Sequence, residues 1–153
     1  MDTSLDTIVL AIGPRDDDRL DRLARVVLQV AKPTDVTVIL THVFSKKQFD
    51  EVAEELNYPK ATEEDVDVVL ERHQSIRHLE ELFDEHDVAH DVRGVVGTVA
   101  ESTNKIAETN DADRIVISGG DRSPAGKAIF GSTAQNVFLG SPCPVTYVRS
   151  QSK

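Results

Sequence analysis

The stretch that decides the fold is residues 115–133, which read IVISGGDRSPAGKAIFGST. Residues 115–118 predict a buried strand, and a helix opens at the other end on Gly131-Ser132-Thr133. The loop between them contains glycines and the cations Arg122 and Lys127. Such a loop brings unpaired backbone N–H groups and the positive end of a helix dipole to one point. The stretch therefore predicts a strand–loop–helix unit with a place for a phosphate.

Four other segments have the apolar composition of strands. Continuous apolar runs without alternation are typical of strands covered on both faces. The predicted strands are residues 7–12, 36–44, 90–96, 115–118 and 145–148. Their alternation with helices predicts an α/β fold, a three-layer, doubly wound, Rossmann-like sheet of five parallel strands. The third strand is the least apolar and the fifth is short, so both are expected at sheet edges.

The helices have boundary signals of their own. Asp16-Asp17-Asp18 is expected to open the first helix, supply its N-cap and complement its dipole. One long helix is expected from its N-cap, Thr62, to Glu85. Thr98 and Glu101 have the spacing of a capping box at the start of a later helix.

Composition and charge exclude several classes of protein. A chain of 153 residues is expected to form one domain over 1–153. The net charge of -10, from 27 acidic and 17 basic residues, argues against a nucleic acid or anionic membrane partner and resembles surfaces from high-salt (halophilic) cytosols. No apolar run approaches the ~20 residues of a membrane span, and no secretory leader is evident. A single cysteine, Cys143, suits a reducing, cytoplasmic setting.

The order of elements resembles the universal stress protein family over nearly the whole chain. The likeness rests on four short segments: His42-Val43, Asp111-Ala112-Asp113, Gly131-Ser132 and Pro144-Val145. It implies an adenine nucleotide alpha hydrolase-like sheet that holds ATP or AMP at the loop after strand four. It also implies a homodimer paired through the last strand, from Val145 to Val148, and a role as a cytoplasmic regulator or sensor in the stress response.

The resemblance also implies which residues hold the nucleotide. Arg122 and Lys127 would neutralise the phosphates, and the first and second strands would flank the adenosine at residues 11–13 and at His42-Val43. The nucleotide-binding residues implied in this way are Ala11, Ile12, Gly13, Val43, Ser118, Gly119, Gly120, Arg122, Lys127, Gly131, Ser132 and Thr133.

Two slots of the family pattern hold other residues. Nucleotide-binding members carry Gly, two residues, Gly, nine residues and then Gly-Ser or Gly-Thr, so the slots counted back from Gly131 fall on Ser118 and Asp121. Such members also place an Asp after the first strand, where Gly13 stands. An Asp beside the phosphates adds a Cβ and a negative charge. Two hypotheses therefore stay open: a nucleotide-binding regulator, or a homodimeric protein-interaction module without nucleotide.

Other constellations offer further alternatives. The acidic triplet 16–18 has ligands suited to Mg²⁺, and its acids at the pocket mouth would repel a triphosphate. His86 and His90 have a metal-ligand spacing, but a helix end between them separates their faces. His42 would line the pocket or form a structural hydrogen bond. Ser132 has no general base near it in sequence, so slow ATP hydrolysis is the most that is expected as an activity.

Overall fold

The computed structural model describes residues 1–13, 16–58, 60–119 and 131–149. Within these ranges the strands are β1 (Thr7–Ala11), β2 (Thr37–Phe44), β3 (Ala89–Val96), β4 (Arg114–Gly119) and β5 (Val145–Arg149). The α-helices there are α1 (Leu20–Ala31), α2 (Lys46–Glu55), α3 (Val66–Glu71), α4 (Gln74–Glu85), α5 (Val99–Thr109) and α6 (Ser132–Gly140). The strands form one parallel sheet in the order β3-β2-β1-β4-β5. The predicted five-stranded α/β fold is confirmed, with β3 and β5 at the edges.

Two apolar layers hold the helices against the sheet. Successive strand residues point to opposite faces, so alternate positions of each strand enter different cores. On one face, Leu10 and Leu40 pack with residues of α1 and α4, such as Leu23 and Leu79. On the other face, Ile117 and neighbouring strand residues pack against α5 and α6. The sheet is thus the middle of three layers.

The long helix expected from Thr62 to Glu85 is wrong, because the chain breaks it at His73. Thr62 does cap a 3-10 turn (Glu63–Asp65), which leads into α3, but His73 is extended at φ -72° and ψ 131°. The His73 side chain caps α4 by accepting a hydrogen bond from the Ser75 N–H. Two short helices can pack on different partners, so α3 covers β3 while α4 packs against α1.

Two other boundary predictions are corrected. The triplet 16–18 does not cap α1, because the helix begins at Leu20 and its N-cap is Arg19. Thr98 is the N-cap of α5, but its side chain makes no capping hydrogen bond. The reciprocal bonds of a capping box occur instead at α2, between Ser45 and Gln48.

The edge of β3 is covered by a side chain of α3. The Asp67 carboxylate accepts a hydrogen bond of 2.5 Å from the Gly94 N–H. An edge strand otherwise presents unpaired backbone groups on which another chain can pair. This contact therefore protects one edge of the sheet, the β3 edge, against pairing with another chain.

None of the described helices has both the length and the apolar character needed to cross a membrane.

Candidate functional site

The sheet reverses its strand order between β1 and β4. From β1 the chain proceeds to β2 on one side, and β4 lies on the other side. In open parallel sheets, ligands bind beyond the carboxyl ends of the strands at such a switch point. The residues there are Ile12 and Gly13 after β1, and Ser118 and Gly119 at the end of β4. The sequence-predicted residues of strands one and four are thus brought together.

A buried carboxylate joins the two sides of the switch point. Asp16 is only 3% exposed, and its Oδ2 accepts a hydrogen bond of 2.7 Å from the Gly13 N–H. Its Oδ1 accepts a hydrogen bond from the Ser118 hydroxyl. Arg19 neutralises it, with Nε 3.4 Å from Asp16 Oδ1, and donates from Nη1 to the Gly119 carbonyl at 3.4 Å. The loop after β1 and the end of β4 are therefore tied to each other.

This arrangement changes the interpretation of the acidic triplet. Asp16 faces inward, Asp17 accepts a hydrogen bond of 2.6 Å from the Ser75 hydroxyl, and the Asp18 side chain is 87% exposed. The three carboxylates therefore do not converge on one point. Among the described residues, no group of three or more His, Cys, Asp or Glu side chains is arranged to hold a metal ion.

The predicted phosphate end of the site lies at the start of α6. Because β4 and β5 are parallel, α6 returns from the carboxyl edge of the sheet, and its first turn lies at that edge. Gly131 is the N-cap, and Ser132 and Thr133 are exposed in the first turn. The first N–H groups of a helix have no partner within the helix, so they are available to an anion. Gly120, Arg122, Lys127 and Asp121 lie outside the described residues.

A cavity of about 150 Å³ opens between the carboxyl end of β2, α2 and the start of α4. Its apolar lining includes the buried side chains of Ile12, Phe44, Leu70 and Ile76. A single aromatic ring fills a space of this size, whereas complete ligand sites occupy roughly 300–1,000 Å³. The cavity therefore suits one ring of a larger ligand.

Polar side chains line the rest of the cavity. Asp17, Glu51 and Glu55 are exposed carboxylates, and His42 and His73 are half-buried imidazoles. Carboxylates repel phosphate, so the anionic part of a ligand would not lie here. Sequence analysis found Ile12, Gly13 and His42 but missed His73, because it was assigned to the middle of a helix. The five polar residues between Leu70 and Ile76 were the available signal of the break.

His42 has both of the roles considered for it. It lines the cavity, and its Nδ1 bonds to the Ile12 carbonyl. Its ring also meets Phe44 edge-on, with the centroids 4.4 Å apart. Burial lowers the pKa of His42, and the nearby His73 lowers that pKa further, against the bond to Ile12 and the charge of Asp16. His42 is therefore held neutral near pH 7.

The pKa of His42 predicts a loss of stability in mild acid. Because its folded-state pKa is below the unfolded value of about 6.5, the unfolded chain takes up the proton first. The stabilisation is present above pH 6.5 and is lost as the pH falls through the folded-state pKa. We expect the melting temperature of the unchanged chain to fall toward that of His42→Gln between pH 7.5 and pH 5. Circular dichroism melts at constant salt measure this, and parallel pH curves would contradict it.

The remaining predicted residues lie apart from the cavity. Val43 is buried and follows His42 on β2, so it points to the opposite face, and Ala11 packs on the α5 and α6 side. His86 bonds through Nδ1 to the Leu82 carbonyl at 2.8 Å at the end of α4, whereas His90 lies on β3 near Glu80. The two histidines therefore do not form a pair on one helix face.

A family model described as the universal stress protein family matches residues 4–149. The structure is similar to that of a universal stress protein from Archaeoglobus fulgidus, with 24% identity, a TM-score of 0.69, and 94% of this chain and 98% of the other covered. A universal stress protein from the same organism, solved in complex with dAMP, has 20% identity and a TM-score of 0.64, with 93% and 96% covered.

A third solved structure comes from a plant. It is a universal stress protein family protein from Arabidopsis thaliana with AMP bound, with 12% identity, a TM-score of 0.64, and 96% of this chain and 93% of the other covered. At these identities the likeness shows the fold. No curated protein sequence matches the chain.

Proposed function

The chain belongs to the universal stress protein family, and from this premise we propose that it binds an adenine nucleotide, AMP or ATP, and acts as a regulator or sensor in the stress response. The observation that carries the proposal is the start of α6 at the switch-point edge of the sheet, where no side chain of the described residues caps the first N–H groups and where such groups can bind an anion. Two proteins of the same fold, named above, are described with AMP or dAMP bound, which supports an adenine nucleotide as the ligand.

In the proposed complex the nucleotide extends from the cavity to α6. The ring of the adenosine lies in the cavity beside Ile12, Gly13 and His42. Ala11 and Val43 would meet the adenosine through their backbone, since their side chains point away from the cavity. The phosphates reach Gly131, Ser132 and Thr133. Their site is completed by Ser118 and Gly119 at the end of β4 and by Gly120, Arg122 and Lys127, which follow β4 in the sequence. Because Asp16 faces inward beside Arg19, the acidic triplet opposes the phosphates less than its charge indicates.

Isothermal titration of AMP and ATP, with and without Mg²⁺, tests the proposal on the purified chain in high-salt buffer. We expect saturable binding of AMP in the micromolar range, because the helix start and a ring cavity act together. Bound nucleotide released by denaturing the purified protein would support it independently. Absence of heat at high protein concentration would overturn it in favour of an interaction module.

The second function, a homodimeric interaction module, is supported by exposed apolar side chains near β5. Leu139 is 78% exposed and Phe138 is 38% exposed, and the Phe138 ring lies 5.9 Å from that of Tyr147 on β5. This apolar patch adjoins the outer edge of β5, and we propose that a second copy pairs there, through residues 145–148, to form a homodimer. Sedimentation equilibrium measures the state directly, and a monomer at all concentrations would contradict this interface.

We further propose a high-salt cytoplasm as the setting. The surplus of ten negative charges is consistent with it, and the lone cysteine suits reducing conditions. In this proposal Mg²⁺ accompanies the phosphates of ATP and does not occupy the triplet 16–18, because Asp16 faces inward, Asp17 bonds to Ser75 and the Asp18 side chain is exposed, so the three carboxylates do not converge.

A further inference from the structure

The two imidazoles that line the cavity present opposite hydrogen-bonding character to it. His42 Nδ1 is bonded to the Ile12 carbonyl, which can only accept, so Nδ1 carries the proton. In the neutral ring the other nitrogen, Nε2, is then an acceptor. Among the described residues Nε2 has no hydrogen-bond partner.

His73 has the opposite tautomer. Its Nδ1 accepts a hydrogen bond of 3.4 Å from the Ser75 N–H, which can only donate, so Nδ1 carries no proton. The proton of the neutral ring is therefore on Nε2, which is a donor. This nitrogen likewise has no hydrogen-bond partner in the described part of the chain.

Both tautomers are fixed from outside the cavity by the backbone. A ring nitrogen engaged by a backbone group determines which form the opposite nitrogen takes. His42 is held by the loop after β1, and His73 is held by the first turn of α4. The cavity therefore offers one acceptor and one donor whose roles cannot be exchanged without breaking a backbone hydrogen bond.

We infer that His42 and His73 select a ring edge with an amino group beside an unprotonated ring nitrogen, so that this chain binds 6-aminopurines in preference to 6-oxopurines. This inference rests on the proposed function and names the residues that choose the base. The amino group donates to His42 Nε2, and the ring nitrogen accepts from His73 Nε2. A 6-oxopurine has the reverse pattern, an acceptor oxygen beside an N–H. Its oxygen would face the acceptor of His42, and its N–H would face the donor of His73.

The charges around the cavity agree with this selection. Glu51 and Glu55 of α2 and Asp17 of the loop before α1 surround its opening. Carboxylates favour the amino group, which carries partial positive charge, and disfavour the carbonyl oxygen of a 6-oxopurine. They also direct the phosphates out of the cavity, toward the start of α6.

The test compares AMP with IMP, and adenosine with inosine, by isothermal titration at pH 7.5. We expect AMP to bind at least about tenfold more tightly than IMP, because both hydrogen bonds are lost and two polar groups are left opposed. The same ratio is expected for the nucleosides, which lack the phosphate.

The His73→Asn variant isolates the donor. Asn is a favoured N-cap, so α4 keeps its cap and the melting temperature should stay unchanged. The AMP-to-IMP ratio should fall at least about threefold and stay above one, because the imidazole donor of His73 is lost while the acceptor of His42 remains. His86→Asn, at the C-cap of the same helix and outside this cavity, is the matched control and should keep the ratio.

Equal binding of AMP and IMP by the unchanged chain would overturn the inference and leave the proposed function standing. An AMP-to-IMP ratio that is unchanged in His73→Asn would overturn the role of His73. Absence of binding by all four compounds would overturn both the inference and the proposed function. Selective binding of nucleosides without a gain from the phosphate would support the base site and contradict the phosphate site at α6.

Discussion

The Gly131→Asp variant is expected to bind AMP at least about 100-fold more weakly than the unchanged chain while remaining folded. Gly131 is the N-cap of α6, and an N-cap Asp accepts hydrogen bonds from the first N–H groups of its helix. Those N–H groups are the ones assigned to the phosphate. The carboxylate would occupy them and repel the nucleotide: two unit charges about 4 Å apart near a protein surface interact by about 4 kcal/mol.

The same residue supplies the control. Gly131 has φ -67°, which any residue adopts, and a Cβ built there meets no atom of the described residues within 4 Å. Gly131→Ala should therefore keep AMP affinity within about threefold, and both variants should melt near the unchanged chain. Isothermal titration compares the three proteins. Equal affinity in Gly131→Asp would remove the start of α6 from the site, and an equal loss in Gly131→Ala would assign the effect to shape instead of charge.

The sheet could be predicted because its signals are local. The run 7–12 is apolar at every position except Thr7, as a strand buried on both faces must be, whereas the third strand carries His90, Asp91 and Arg93 and lies at an edge. The composition of a segment of about five residues is enough to distinguish a strand buried on both faces from an edge strand. The placement of the site followed from the strand order, because ligands bind where that order reverses.

The helix from 62 to 85 could not be predicted because its break depends on tertiary contacts. A pattern of apolar residues records which positions are buried but not against which element. Val69 and Leu70 are buried on α3, and Ile76 and Leu79 are buried on α4. One straight helix could not cover β3 and pack on α1 with these two groups, so His73 turns the chain. That turn also brings the second imidazole into the cavity.

The direction of Asp16 was beyond sequence analysis for a related reason. Three consecutive aspartates look equivalent in a sequence, and charge alone predicts that all three face water. Asp16 turns inward because the sheet brings Ser118, 102 residues away in the chain, beside the loop that follows β1, where its hydroxyl donates to Asp16. Because the sequence does not reveal this contact, all three carboxylates were expected to repel the phosphates.

Asp16→Ala is expected to lower the free energy of unfolding by about 3 kcal/mol. The change removes a buried acceptor and leaves the Gly13 N–H, the Ser118 hydroxyl and the Arg19 guanidinium without it. Leaving a buried donor unsatisfied costs about 1–3 kcal/mol, and breaking a buried ion pair costs about 3–5 kcal/mol. For a domain of this size, 3 kcal/mol corresponds to roughly 6–12 °C in melting temperature.

Two further variants separate burial from charge. Asp18→Ala should change the free energy of unfolding by less than about 0.5 kcal/mol, because this carboxylate is 87% exposed and 3.8 Å from Arg19 Nε. Asp16→Asn should cost less than Asp16→Ala, since the amide keeps an acceptor for Gly13 and can donate to Ser118, while the ion pair is lost. Denaturant melts of the three variants measure the order. If Asp16→Ala and Asp18→Ala were equally stable, the inward carboxylate would not be what ties β1 to β4, and the two sides of the switch point would be positioned by the sheet alone.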